Sequence, residues 1–202
     1  MTNSVHIDWR YSGRADGLTG AGAPVGERGL AYGFAAFATI ALVGFLRLGD
    51  NPIAYGWRLP LLALFVFDIA GGAVANMLNS CKRFYNAPRQ PQETGFVRWV
   101  KRPFVFSATH IHPILAAWAF GSELWIGVFW YIALVAGVAA TLAAPLYLRR
   151  PIATAIVVTA SGVSAYGLGL GAGLEWFIPC LFFKIVLAHT VREEPYRPQP
   201  TD

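Results

Sequence analysis

The stretch LPLLALFVFDIAGGAVANMLN, from Leu59 to Asn79, contains one charged residue, Asp68. A helix needs about 20 mostly apolar residues to cross the hydrocarbon core of a bilayer. This stretch has that length, and Pro60 stands at its first turn, where the missing N–H of proline is not needed. The stretch therefore predicts a transmembrane helix with a single charge near its middle.

Similar apolar stretches recur on both sides, separated by short polar segments. Charged residues make up 13% of the chain and hydrophobic residues 55%, whereas a soluble domain carries about 25% charge. The sequence therefore predicts an all-α integral membrane protein, one domain with a bundle of about six transmembrane helices. The predicted spans are 30–46, 59–79, 103–121, 124–148, 151–168 and 174–191, flanked by the segment 1–29 and the tail 192–202. The glycine-rich segment 167–173 leaves open that the last two spans form a re-entrant segment.

The lysines and arginines predict the orientation of this bundle. Thirteen of the 16 fall in four segments on one side: 1–29, 80–102, 149–150 and 192–202. Cytoplasmic segments carry an excess of these residues. Both termini are therefore predicted to be cytoplasmic, in a multi-pass protein of the plasma (inner) membrane. The net charge of +5 then predicts an anionic inner leaflet as the partner and no nucleic acid.

Four polar side chains fall near the middle of their predicted spans and therefore at one depth: Asp68, His110, His112 and Lys184. A charge at mid-membrane costs about 2.5–3.5 kcal/mol on insertion scales, so such residues face the bundle interior and pair with one another. Asp68 and Lys184 have opposite charges and are the predicted partners.

The second span carries small and polar residues on one face. At about 100° per residue, one stripe contains Asp68, Gly72, Ala75, Asn79 and Lys82. Small residues let helices approach closely, and polar residues hydrogen-bond across the contact, so this helix is predicted to be central. Alternatively, this stripe only joins neighbouring helices and takes part in no reaction.

The third span contains the sequence HIHP from His110 to Pro113. Residues two apart point about 200° apart on a regular helix, so the two histidines cannot ligate one metal there. Pro113 removes the hydrogen bond to the Thr109 carbonyl, and the resulting break either brings the rings together or frees that carbonyl for a ligand. A neutral histidine bonded to Asp68 would form an acid/base unit, because histidine titrates near neutrality.

These residues define a candidate site. The predicted catalytic residues are Asp68, His110 and Lys184. The cofactor is not determined by the sequence; zinc is the predicted metal, because it takes imidazole and carboxylate ligands. The predicted metal ligands are Asp68, His110 and His189. The predicted substrate-binding residues are Asn76, Asn79, Lys82, Arg83 and His112.

Three functions fit this pattern. A small membrane enzyme would use the cluster on a lipid-like substrate or another hydrophobic small molecule. A transporter would use the same residues as a relay for a small solute or protons, as a homo-oligomer because six helices are few. A structural or assembly subunit of a larger membrane complex would use them only as contacts between helices. No motif of a known family extends over enough residues to decide among the three.

Overall fold

A computed structural model describes residues 5–88, 90–91 and 93–198. Helices hold 67% of the chain. Position 89, predicted as one of the cytoplasmic arginines, and the ends of the two terminal segments lie outside the described residues. The strands are β1 Val5–Ile7, β2 Ala15–Asp16, β3 Gly20–Ala21 and β4 Tyr196–Pro198.

The helices follow one another with short connections. The α-helices are α1 Val25–Leu48, α2 Arg58–Ala75, α3 Asn79–Asn86, α4 Gly95–Val100, α5 Pro103–Ala108, α6 His112–Phe120, α7 Leu124–Ala143, α8 Leu146–Tyr166 and α9 Phe177–Phe182. A 3-10 helix covers Pro52–Ala54, and a π-helix, Phe183–His189, continues α9.

Three of these helices are long and apolar enough to cross a membrane: α1, α2 and α7. The prediction of a mostly helical protein with membrane-spanning helices is confirmed at this level. The other predicted spans correspond to α5 with α6, to α8, and to α9 with the π-helix. Their crossing of a membrane stays a prediction.

Four helices begin or end several residues away from their predicted boundaries. Helix α1 begins at Val25 instead of residue 30, and α7 ends at Ala143 instead of residue 148. The helix predicted to reach Asn79 ends at Ala75, and a turn leads into the separate helix α3. The helix predicted to open at Pro151 begins earlier, at Leu146, directly after Pro145. Proline suits the position before a helix, and Pro145 has the extended conformation of such a residue. Pro151 therefore lies inside α8.

The third predicted span is broken. It consists of α5 and α6, separated by the non-helical residues Thr109–Ile111. The cause is Pro113, which lies in the first turn of α6. Proline has no backbone N–H, so it donates no hydrogen bond to the preceding turn. The break predicted from the HIHP sequence is therefore present.

The connections between helices gather in two groups. In the first, Asn51 Nδ2 donates to the Ala172 carbonyl at 3.1 Å, and the Ser122 hydroxyl donates to the Leu170 carbonyl. This group joins the α1–α2, α6–α7 and α8–α9 connections.

The second group contains both termini. Strands β1 and β4 pair antiparallel, with His6 opposite Arg197. The side chain of Asn79 accepts a hydrogen bond from the Tyr196 N–H at 2.8 Å, which joins α3 to the C-terminal strand. The N-terminal and C-terminal segments therefore meet on the side of the molecule where α3 lies.

Helix α2 lies at the centre of the bundle. It contacts α1, α6, α9 and the π-helix. A Cβ atom at Gly71 would lie 2.5 Å from Cβ of Ala35, so the glycine allows α1 and α2 to approach closely. Its buried apolar side chains include Leu62, Phe65 and Ile69. The prediction that this helix is central is confirmed.

Candidate functional site

Asp68 and Lys184 form an ion pair between α2 and the π-helix. Nζ of Lys184 lies 2.6 Å from Oδ2 of Asp68. A Cβ atom at Gly72 would lie 2.5 Å from Cε of Lys184, so the missing side chain leaves the space that the lysine stem occupies. The pairing predicted from depth and charge is therefore present.

His112 is the second partner of the same carboxylate. Its Nε2 lies 3.2 Å from Oδ2 of Asp68. His112 is the first residue of α6, and His110 lies in the break before it. The two rings stack with centroids 5.1 Å apart and an interplanar angle of 24°. The helix break thus brings together two rings that a regular helix would direct about 200° apart.

The orientation of His110 is fixed by the backbone. Its Nδ1 lies 2.9 Å from the carbonyl oxygen of Phe106. A carbonyl oxygen only accepts hydrogen bonds, so Nδ1 carries the proton in this bond. In the neutral ring, Nε2 then presents a free lone pair.

Asp68, His110 and His112 can together hold a metal ion. One potential ligand atom from each residue lies within 4.8 Å of the others. His189, which the sequence suggested as the third ligand, is not in this group. The structure brings His112 to the place for which His189 was predicted. The signal for this was Pro113, since a break at that proline is what brings the rings together.

His189 occupies an apolar environment at the end of the π-helix. Its ring stacks on Phe106 with centroids 4.2 Å apart and meets Tyr85 edge-on at 4.6 Å. Neither ring nitrogen has a hydrogen-bond partner within the described residues. Because Phe106 also packs against His110, at 4.7 Å, it separates the two histidines.

The predicted substrate-binding residues divide between two places. Asn76 lies beside the Asp68 cluster, where its Nδ2 donates to the Lys184 carbonyl at 3.2 Å. Asn79 and Lys82 instead hold the C-terminal segment. Lys82 Nζ donates to the carbonyls of Ala188 and Val191 at 2.6 and 2.9 Å.

Arg83 and Glu193 complete this second polar group. Arg83 is buried and donates to the Tyr196 carbonyl at 3.4 Å. Glu193 lies 3.3 Å from Nζ of Lys82 and 3.1 Å from the guanidinium of Arg150. Sequence reasoning missed this bridging role of Glu193, because its partners lie far apart along the chain.

A cavity of about 590 Å³ lies at this second polar group. Three basic side chains line it, those of Lys82, Arg150 and Arg192, together with Glu193 and Glu194. The cavity therefore presents both signs of charge. Its basic residues are already paired in part with Glu193.

The Asp68 cluster reaches the side of the helix bundle. The Asp68 side chain is 38% exposed, whereas that of Lys184 is 4% exposed. Leu64, one turn earlier on α2, is 61% exposed, and Ile111 in the break is 43% exposed. Oδ2 of Asp68 accepts from the buried partners, and Oδ1 accepts no hydrogen bond from the described residues. Oδ1 is thus the oxygen left for a ligand, and exposed apolar residues occur one turn before Asp68 on α2 and next to His110 and His112 in the break.

Comparisons with protein-family models, with curated proteins and with solved structures find no match to this chain.

Proposed function

We propose that this chain crosses the membrane six times, with both termini on the cytoplasmic side. The β1–β4 pairing supports an even number of crossings, because both ends of the chain lie together. The contacts between Asn51 and Ala172 and between Ser122 and Leu170 support the alternation, since they join every second connection. The clustering of Lys and Arg supports the cytoplasmic assignment.

We further propose that the protein is an enzyme acting on a lipid-like substrate. The observation that carries this proposal is the partial exposure of Asp68 beside two partners that are largely buried, Lys184 and His112. A residue that serves only to join helices is best covered completely, because an exposed carboxylate at mid-membrane is costly. A carboxylate that opens sideways between apolar residues is suited to a substrate that arrives through the bilayer.

The roles follow from the contacts. His112 is the acid/base candidate, since imidazole transfers protons near neutrality and its Nε2 touches Asp68. Asp68 orients that ring and presents Oδ1 to the substrate. Lys184 compensates the charge of Asp68 and offers a positive charge for an anionic group of the substrate. His110 lies against His112 as a second base.

The test is lipid turnover by the purified protein. The full chain is reconstituted in nanodiscs made from a total polar-lipid extract, and new or depleted species are measured by mass spectrometry. Wild type is expected to alter at least one lipid class, and Asp68→Asn and His112→Gln are expected to abolish the change. Thr154→Ala, an exposed site on α8, is the matched control. If wild type and Asp68→Asn leave the same lipid composition, the proposal of an enzyme is contradicted.

A transporter is the second candidate, favoured by one observation. An interrupted helix meets a π-helix at the cluster: α5 and α6 break at Thr109–Ile111, and α9 continues into the π-helix that carries Lys184. Transporters build substrate and ion sites from interrupted helices near the midplane. Proteoliposomes loaded with a pH-sensitive dye distinguish this candidate, because only a transporter gives a proton flux that Asp68→Asn removes.

A further inference from the structure

We propose that the Asp68 cluster is a divalent-metal site whose ligands are Asp68, His110 and His112, and that Lys184 occupies the carboxylate when the metal is absent. The proposal concerns binding alone, so it stands or falls separately from the enzymatic proposal. It differs from the set expected from the sequence, since His112 replaces His189.

The donor set matches a metal that leaves room for a further ligand. Two imidazoles and one carboxylate are the ligands of catalytic zinc sites, which keep one position open. Tetrahedral coordination at about 2.1 Å requires ligand atoms about 3.4 Å apart. The three potential ligand atoms already lie within 4.8 Å of one another. Side-chain rotation of the partly exposed Asp68 and His112 can close the remaining gap without movement of the helices.

The two histidines are prepared for metal in different ways. His110 has its Nδ1 on the Phe106 carbonyl at 2.9 Å, and such a contact on the remote nitrogen is typical of metal-bound histidines. His112 has its Nε2 on Asp68, while its Nδ1 is buried without a hydrogen-bond partner in the described part of the chain. A buried nitrogen without a partner is unfavourable, and coordination through Nδ1 would remove that penalty.

The backbone supports the same inference. Non-helical backbone at membrane depth is tolerated where it is buried in protein or lines a cavity. The break at Thr109–Ile111 lies between α5 and α6 and stacks the rings of His110 and His112 on each other. The interruption of the helix is thus what places two imidazoles beside Asp68.

Lys184 provides the sharpest test, because it competes with the metal. Its ammonium lies 2.6 Å from Oδ2 of Asp68 and is buried. A divalent cation bound by the same carboxylate is repelled by this charge and must take Oδ1 or displace the lysine. Replacing Lys184 with methionine removes the charge and keeps a stem of similar length. A metal site then binds its ion more tightly, whereas a simple ion pair only loses stability.

The experiment measures zinc binding to the full-length protein in detergent by equilibrium dialysis and elemental analysis. Wild type is expected to bind about one zinc ion per chain. Asp68→Asn, His110→Gln and His112→Gln each remove a direct ligand and are expected to lower the affinity by at least about 10–100-fold, the loss typical of removing a partner that only orients a ligand. Lys184→Met is expected to raise it by at least about tenfold. His6→Gln, far along the chain from the cluster, is the control and keeps the wild-type affinity.

A second measurement covers variants that fold poorly. Thermal unfolding midpoints are compared with and without zinc, and zinc is expected to stabilise Lys184→Met more than wild type, because only folded protein holds the site. The proposal is overturned if Lys184→Met binds zinc more weakly than wild type. It is equally overturned if His112→Gln binds as wild type does, since zinc would then sit elsewhere. Either result would leave the enzyme proposal intact, because lipid turnover is measured separately and requires no zinc.

Discussion

The stem of Lys184 passes over the bare backbone of Gly72, so that a Cβ atom at position 72 would lie 2.5 Å from Cε of the lysine. The same atom would lie 3.0 Å from Nζ. The glycine is therefore what allows a lysine on the π-helix to reach a carboxylate one turn earlier on α2.

Gly72→Ala is expected to destabilise the protein by about 1–3 kcal/mol, because an added methyl group overpacks this contact and pushes Lys184 away from Asp68. The measurement is the free energy of unfolding in mixed micelles. Gly162→Ala is the matched control, since a Cβ atom at that helical position meets nothing within 4 Å. That control is expected to be neutral or stabilising by up to about 1 kcal/mol. Equal effects at the two positions would show that the close contact does not exist.

Neutralising Asp68 and neutralising Lys184 should lower the free energy of unfolding by different amounts. Asp68→Asn leaves the buried Lys184 without a counter-charge and is expected to destabilise by about 3–5 kcal/mol. Lys184→Met is expected to cost less, because Asp68 is 38% exposed and keeps His112. The double variant is expected to be more stable than Asp68→Asn alone. Unfolding free energies that simply add in the double variant would mean that the two side chains do not interact.

Acid sensitivity is expected at a second ion pair, which Glu93 and Lys101 form outside the predicted spans. Burial would raise the pKa of Glu93, but hydrogen bonds from Lys101 at 2.6 Å and from the Tyr11 hydroxyl outweigh it and hold the pKa below its ordinary value of about 4.5. The unfolded chain then takes up this proton first as the pH falls. The stabilisation is fully present above about pH 4.5 and is lost as the pH falls through the lower native pKa.

Glu93→Gln tests this assignment. Thermal midpoints at pH 7 and pH 4 are compared, and the variant is expected to lose less stability between the two than wild type does. Glu123→Gln, at an exposed carboxyl group, is the control and should retain the wild-type pH dependence. A Glu93→Gln protein with an unchanged acid response would contradict the role of this pair.

The proposed orientation predicts which residues can be labelled from outside the cell. In a variant with Cys81 and Cys180 replaced by alanine, single cysteines are introduced at the exposed positions Gly95 and Glu123. Glu123→Cys is expected to react with an impermeant maleimide in intact cells, and Gly95→Cys only after permeabilisation. The reverse pattern would invert the topology, and reaction at both positions would change the number of crossings.

The ion pair was predictable and the proposed set of metal ligands was not, for a physical reason. A charge within an apolar stretch must find a partner at its own depth, so span boundaries alone paired Asp68 with Lys184. Pro113 indicated a break, but the direction in which a broken helix turns depends on its packing against α2 and α7. The choice between His112 and His189 therefore required the structure.

Residues of α3 show the opposite limit. Lys82 and Arg83 were predicted to bind a substrate, yet both are buried, at 3% and 1% exposure. Their side chains bond to backbone carbonyls of Ala188, Val191 and Tyr196, more than 100 positions later in the chain. No local pattern of charge reveals partners at that separation. The π-helix is equally invisible, because its residues are compatible with an ordinary α-helix.

The pairing of β1 with β4 also dictates an order of biosynthesis. Strand β1 emerges from the ribosome first, but its partner is synthesised only after every helix has been made. The contacts of Asn79 and Arg83 with Tyr196 likewise form only after Tyr196 has been synthesised. The N-terminal and C-terminal segments can therefore pair only after the described helices have been synthesised, and a chain interrupted before residue 196 would carry β1 without its partner strand.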